Sequence, residues 1–276
     1  MITISTFADE IAADLASQIA ACRANGLRCI DVRGIDGKNV SQLTLSEARE
    51  YRRQMDDAGI TVPCIGSPIG KIRLDEDFPA HLELLRHCCQ LAWAFGTNLV
   101  RVFSFYPSPG RRVEDQRGEV MDRLAAMVKL AGAADVVLMH ENEKAIYGAK
   151  PAGVLDIFAT IRSPHLRCIF DPANFVEEGV APYDQAWRAG LGELTAYLHI
   201  KDKVPGQPAC VPAGQGRGQI PEIFADLARR GWSGVATLEP HLKAAGQFTG
   251  FTGPELFAKA VAALRDICDS VGLPVA

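Results

Sequence analysis

The chain repeats one local pattern along its whole length. A helical stretch closes at or near Gly or Asn, a short apolar run follows, and polar residues come next. Residues 2–7, 29–33, 61–66, 99–104, 136–141, 167–171, 197–201 and 234–239 fit it. Short apolar runs bounded by turn signals are what buried parallel strands look like in sequence. Helical spacing fills the intervals: a stripe of Leu15, Ile19 and Cys22, then HLELLRHCCQLAW at 81–93, then 257–267. Gly26, Gly59 and Gly231 fall where such helices should stop and the chain turn back.

Strands alternating with helices predict parallel βαβ units, and eight units predict closure into a (β/α)8 barrel. The expected architecture is one α/β TIM-barrel domain over residues 1–276, a usual length for that fold. An open doubly wound sheet would place a Gly-rich phosphate loop after an early strand. FADEIAAD and RGIDGK, which occupy those places, are not GxGxxG. No Pro/Gly/Ser-rich linker divides the chain.

Composition narrows the function classes. With 48% hydrophobic residues the chain can bury a large core, and its formal charge of −4 gives no electrostatic case for nucleic acid. The Arg111–Arg112 pair reads as a solvated loop. No apolar segment reaches membrane-spanning length. MITISTFADE lacks a basic start and an apolar run, so no signal peptide is expected. The eight cysteines form no CxxC pair and several sit in apolar contexts. They read as reduced core residues of a cytoplasmic protein.

The last four runs end unusually, in LMHENE, IFDPAN, LHIKD and TLEPH. Each puts a metal-capable side chain at a carboxyl-terminal strand end: Glu141, Asp171, His199 and Glu239. Barrel active sites form on that face. Taken singly, a strand-end carboxylate is more often a helix cap or ion-pair partner, and a lone His a satisfied core residue. Here four occur in consecutive units, so four neighbouring strands would aim them at one spot. Three carboxylates and an imidazole would repel in a partly buried site, and a divalent cation is the simplest compensation. Oxygen-rich ligation with one His suits Mn2+ or Mg2+, with Co2+ and Zn2+ also feasible.

The ordered set HEN, DPAN, HIKD and LEPH, with GQGRGQIPEIFADLARRGWSG between the last two, resembles the xylose-isomerase-like barrels. These are the sugar isomerases and epimerases of the superfamily that also holds abasic-site endonucleases. FADE, IGSPIGKI and VRVFSFYP fit more loosely. The resemblance implies one divalent ion on Glu141, Asp171, His199 and Glu239. It also implies that Glu141 and Glu239 are the proton-transfer pair, and that Arg217, after the Gly-rich loop, contacts substrate oxygens. Many epimerases of the family carry His shortly after the strand-six Asp; Asn174 stands there in this chain.

Several polar residues near the motifs have two readings each. Lys201, two residues beyond His199, should point to the same side and bind a substrate oxygen or pair with a carboxylate such as Glu239. Asn174 could bind substrate or cap its turn. His140 should face away from Glu141 and pack, His241 flanks a ligand, and Lys71 lies in the third loop. Phe103, Phe105 and Tyr106 could wall a pocket or fill the core. Glu143 and Lys144 should pair at the surface.

The expected activity is isomerisation or epimerisation of a sugar, keto-sugar or inositol-like substrate through an enediolate. The partner is a small carbohydrate, with no nucleic acid and no membrane; homo-oligomerisation is compatible with the sequence. A lyase acting on a keto-sugar or keto-glycoside by elimination is the alternative. An abasic-site endonuclease would need more histidines than the six present. A non-catalytic sugar-binding barrel would keep the metal shell without turnover.

Overall fold

The computed structural model describes residues 1–243 and 252–276. Strand β1 (Ile2–Thr6) opens the chain, and a small hairpin, β2 (Gly34–Ile35) and β3 (Lys38–Asn39), lies outside the main sheet. Then follow β4 (Leu99–Val102), β5 (Val137–Glu141), β6 (Leu166–Phe170), β7 (Thr195–Ile200) and β8 (Gly234–Leu238). These strands form a parallel sheet in the order β1-β8-β7-β6-β5-β4. The pairing of β1 with β8, Ile2 opposite Gly234, joins the two ends of the chain.

The expected second and third strands are present as barrel staves, but each makes only isolated bridges. Asp31 N donates to Thr6 O at 2.9 Å, and Ile30 N to Thr61 O at 3.0 Å. Ile65 N donates to Leu99 O at 3.1 Å, which closes the ring onto β4. Pro63 helps explain the broken pairing, because it has no N–H to give a ladder. The architecture is the (β/α)8 barrel that the alternating pattern predicts.

The surrounding layer contains α1 (Leu15–Ala24), α2 (Leu45–Asp57), α3 (Phe78–Phe95), α4 (Arg117–Ala133) and α5 (Pro151–Thr160). It continues with α6 (Pro172–Glu177), a π-helical segment Pro182–Leu191, one-turn α7 (Gly192–Leu194), α8 (Ile220–Arg229) and α9 (Pro254–Ser270). Capping residues set several starts. Thr44 and Glu47 form a reciprocal capping box on α2, and Asp77 accepts from Ala80 N at the start of α3. Gly26, Gly59 and Gly231 all have positive φ, as helix-terminating glycines require. Among the described residues, no helix is long and apolar enough to cross a membrane.

Strand alternation sorts the side chains into two cores. The large cluster, including Ile2, Ile4, Leu138, Phe170 and Leu198, contains the sheet's outward residues and those of the helices. The opposite parity gives a small cluster of Cys64, Met139, Ile169 and Tyr197. Beside it, buried Asp31 accepts from Ser5 Oγ at 2.7 Å, Thr237 Oγ1 at 2.9 Å and the Tyr197 hydroxyl. Glu141, Asp171, His199 and Glu239 follow that same parity, so the interior register delivers them to the carboxyl-terminal mouth. All eight cysteines are free, and all but the half-buried Cys210 are buried.

Candidate metal centre

Glu141 ends β5, Asp171 follows β6 and caps α6, His199 lies on β7, and Glu239 follows β8. Each is buried, and each offers one ligand atom within 4.8 Å of the others. His199 Nδ1 is 2.9 Å from Glu141 Oε1 and 3.8 Å from Glu239 Oε2. Three buried atoms of this set, Asp171 Oδ2, His199 Nδ1 and Glu239 Oε2, make no hydrogen bond. Buried polar atoms are rarely left so, and ligand-capable atoms without a hydrogen bond that converge on one point fit a hard divalent ion.

The protein also supplies cations here: Lys201, for which pairing with a carboxylate such as Glu239 is one of the two expected readings, and two arginines that the sequence does not single out. Arg101 Nη1 lies 3.2 Å from Glu141 Oε2, and Arg33 Nη1 donates to Glu239 Oε1 at 2.7 Å. Lys201 Nζ is 3.0 Å from Asp171 Oδ2 and 3.7 Å from Glu239 Oε2. The expectation that Lys201 faces the same side as His199 therefore holds. Arg33 carries no motif, whereas Arg101 falls in the loosely fitting VRVFSFYP, which places a guanidinium inside an apolar strand run with the interior parity of the donors. That anomaly was the available signal for Arg101.

Charge and burial pull the groups apart. Burial would raise the Glu141 carboxyl, but His199 and Arg101 outweigh it and bring it to about 2. Burial likewise opposes Lys201, Arg33 and His241 at Glu239, yet that carboxyl ends well below its usual range. At Asp171 burial wins over the pull of Lys201, pushing the carboxyl up to about 7. Burial alone would lower Lys201; Asp171 and Glu239 reverse this, so its amine is held as ammonium. Lys201 is thus a donor in this arrangement, and a poor base.

A second group, Glu10, Glu239 and His241, adjoins the first. His241 Nε2 lies 3.0 Å from Glu10 Oε1 and 3.2 Å from Glu239 Oε1. Burial works against its charge, but these two carboxylates take His241 up to about 9. With Arg33 Nη2 3.5 Å from Glu10, the group is an ion-pair cluster already filled by protein cations. His140 is fully buried and faces the helix layer, edge-on to Phe158 and against Gly148, as alternation predicts.

The loops are braced by backbone-directed side chains. Asn174 is buried; its N donates to Asp171 Oδ1, and its Nδ2 to Asn142 O at 2.8 Å. Asn142 in turn bonds both the N and the O of Asp171 at 2.9 Å. Asn174 is thereby a brace of the Asp171 turn, with its amide nitrogen committed to protein. Asp202, the last residue of HIKD, accepts from the N–H groups of Lys203, Gly214, Gly216 and Gly218 at 2.8–2.9 Å. A Cβ on Gly216 would sit 2.2 Å from Asp202 Oδ1, so the loop needs glycine there.

Arg217 is not brought to the four donors. Its side chain is exposed and lines a cleft of about 590 Å3 between Val176, Val180 and the Gly-rich loop. That cleft adjoins the centre through Asp202, next to Lys201, and through α6, which Asp171 caps. Phe103 and Phe105 are fully buried, while Tyr106 is half-buried. Lys71 pairs with Glu143 at 2.9 Å over the Phe103 ring, and Lys144 pairs with Glu177 at 3.2 Å. The two ion pairs tie neighbouring loops together, in place of the expected Glu143–Lys144 pair. Among the described residues, the non-glycine residues with positive φ include Phe105, Ala145, Gln219 and His241, which lie in loops at this mouth.

The model of the xylose isomerase-like TIM barrel family matches residues 19–267. No curated protein matches the chain significantly by sequence. Among solved structures, the probable 3-DHS dehydratase of petrobactin synthesis from Bacillus anthracis is similar, with TM-score 0.76 at 17% identity over 96% of this chain and 99% of that one. A xylose isomerase-like TIM barrel protein from Mycobacterium smegmatis, in complex with magnesium, gives 0.71 at 16% identity over 99% and 97%. The 3-keto-D-glucoside 4-epimerase from E. coli gives 0.70 at 14% identity over 98% and 100%. At these identities the likeness is one of fold.

Proposed function

Because the chain belongs to the xylose isomerase-like TIM barrel family, we propose that it is a divalent-metal-dependent isomerase or epimerase of a sugar, keto-sugar or inositol-like substrate. The reaction passes through an enediolate. The observation that carries this reading is the convergence of four buried donor atoms within 4.8 Å at the barrel mouth. Solved relatives of the fold include a 3-keto-D-glucoside 4-epimerase and a magnesium complex, which supports the same class of chemistry. Glu141, Asp171, His199 and Glu239 hold the ion, Mn2+ foremost, with Mg2+, Co2+ or Zn2+ as alternatives. Once bound, such an ion polarises a carbonyl and stabilises the charge that develops on its oxygen.

The chain's own groups do the rest. Glu141 and Glu239 are the proton-transfer pair, one taking the proton beside the carbonyl and the other returning it. Lys201, held as ammonium, donates a hydrogen bond to a substrate oxygen. Arg217 reaches from the adjoining cleft to the substrate's far end. The working compartment is the cytoplasm, and the partner is a small carbohydrate.

One observation favours a second reading. An ammonium at 3.0 Å from Asp171 Oδ2 is also placed to protonate a leaving oxygen, which would turn the same enediolate toward elimination. A solvent-deuterium exchange screen with added Mn2+, over ketoses, keto-inositols and keto-glycosides, tests both. Incorporation into recovered substrate or an epimer supports isomerisation or epimerisation, and an unsaturated product supports the lyase. No metal-dependent exchange on any of them rejects the proposal.

A further inference from the structure

Each carboxylate at the centre has one oxygen engaged by the protein and the other turned to the cluster. Glu141 Oε2 is held by Arg101 at 3.2 Å, while Oε1 faces His199 Nδ1. Asp171 Oδ1 accepts from Asn174 N at 3.0 Å, while Oδ2 has no hydrogen bond. Glu239 Oε1 is held by Arg33 at 2.7 Å, while Oε2 has no hydrogen bond. A carboxylate left free can chelate a cation through both oxygens. We infer that Arg101 and Arg33 are positioning residues that restrict Glu141 and Glu239 to one donor oxygen each, so that a bound ion keeps two neighbouring positions for a substrate's carbonyl and hydroxyl. This rests on the metal reading above and adds to it a reason for buried Arg101 and half-buried Arg33.

The guanidiniums are themselves held in place. Arg101 donates to Gly66 O at 3.1 Å, and its Cζ lies 4.8 Å from the centre of the Phe7 ring and 5.0 Å from that of Phe103. Arg33 donates from Nε to Asp9 Oδ2 at 2.8 Å, with Cζ 4.7 Å from the same Phe7 ring. Phe7 is fully buried and also meets His199 edge-on at 5.1 Å. Gly66 makes room for it, since a Cβ there would come 2.6 Å from Phe7 Cε1. One ring therefore supports both arginines and the imidazole. Such bracing of ligand side chains is how proteins fix ligand geometry around an ion.

The count of donors gives the consequence. Mn2+ and Mg2+ favour about six ligands, so four single-atom protein donors leave about two positions for water or substrate. If either glutamate swung to bidentate binding, one position would be lost, and a substrate could no longer chelate through two adjacent oxygens.

Water-proton relaxation of the Mn2+-loaded full chain reads this directly, with no substrate needed. The expected result is about two exchangeable waters on the wild-type ion and about one in Arg101→Met or Arg33→Met. Arg→Lys at either position should restore the count, because an ammonium can still occupy the outer oxygen. Thermal unfolding of the metal-free variants separates this from loss of fold, and Phe7→Leu is the substitute if a Met variant does not fold. Unchanged hydration in the Met variants, or fewer than two waters in the wild type, overturns the inference while leaving the metal reading intact. Failure of the folded wild type to bind Mn2+ overturns both.

Discussion

The two halves of the barrel meet their task differently. From β5 to β8 the strands pair in ladders, far more regular than the early staves despite one register shift between Cys168 and Ile169, and each run ends in a donor: Glu141, Asp171, His199 and Glu239. From residue 29 to 66 the staves touch only at isolated bridges, and this half supplies Arg33, while Phe7 and Arg101 come from the strands that border it. The regular half delivers three carboxylates and an imidazole, with Lys201 beside them. The other, with its bordering strands, delivers two arginines and an aromatic ring that hold Glu141, Glu239 and His199. A site of this kind needs both, because buried carboxylates without partners are costly.

The largest effect should come from the regular half. Glu141→Gln and Glu239→Gln keep an oxygen donor and remove the base, so each should slow substrate C–H exchange by about 10²–10⁴-fold with Mn2+ still bound. A metal-loaded variant that exchanges at the wild-type rate makes its glutamate a ligand only.

The loops of the two halves are anchored by different chemistry, which separates them further. Asp202 gathers four N–H groups of the Gly-rich loop, and Asp202→Ala should cost about 3 kcal/mol in denaturant unfolding. A loss below about 1 kcal/mol would mean that the loop keeps its shape without the carboxylate.

His81 anchors the other side, where its Nε2 accepts from Gly70 N at 2.8 Å and needs a neutral ring. Burial first, then Arg123, lowers this imidazole to about 4. A depressed imidazole contributes its full stability above the unfolded value near 6.5. That contribution is lost as pH falls from there toward 4, on the order of 2–3 kcal/mol. His81→Gln should flatten this acid limb; an unchanged slope would remove His81 as its cause.

Arg217 has the smallest expected effect. It lines the adjoining cleft away from the donors, so Arg217→Ala should weaken substrate binding by about 10-fold, with Mn2+ content unchanged. Wild-type kinetics would take Arg217 out of the substrate's reach.

The same division explains what the sequence made legible. Glu141, Asp171, His199 and Glu239 stood out because each closes an apolar run and all recur at the same place in successive units. The eightfold alternation was equally readable, although Pro63 and the bridges around it hid how weakly the early staves pair. Arg33 was unreadable because, although it closes the 29–33 run, only the closed barrel defines which face of that run is interior. Arg101 was readable in principle, as a charge inside LVRVF, but its partner lies one strand away on β5. Asn174 and Arg217 show the opposite limit. Their motif positions were visible, but only folding shows that one bonds Asn142 and the other lines a separate cleft.

Metal binding by the intact chain bears most directly on the whole account. Equilibrium dialysis against Mn2+, followed by elemental analysis, should find one ion per wild-type chain and loss of that ion in both Asp171→Ala and His199→Ala. A folded wild-type protein without bound ion, or occupancy unchanged from wild type in both variants, would contradict it.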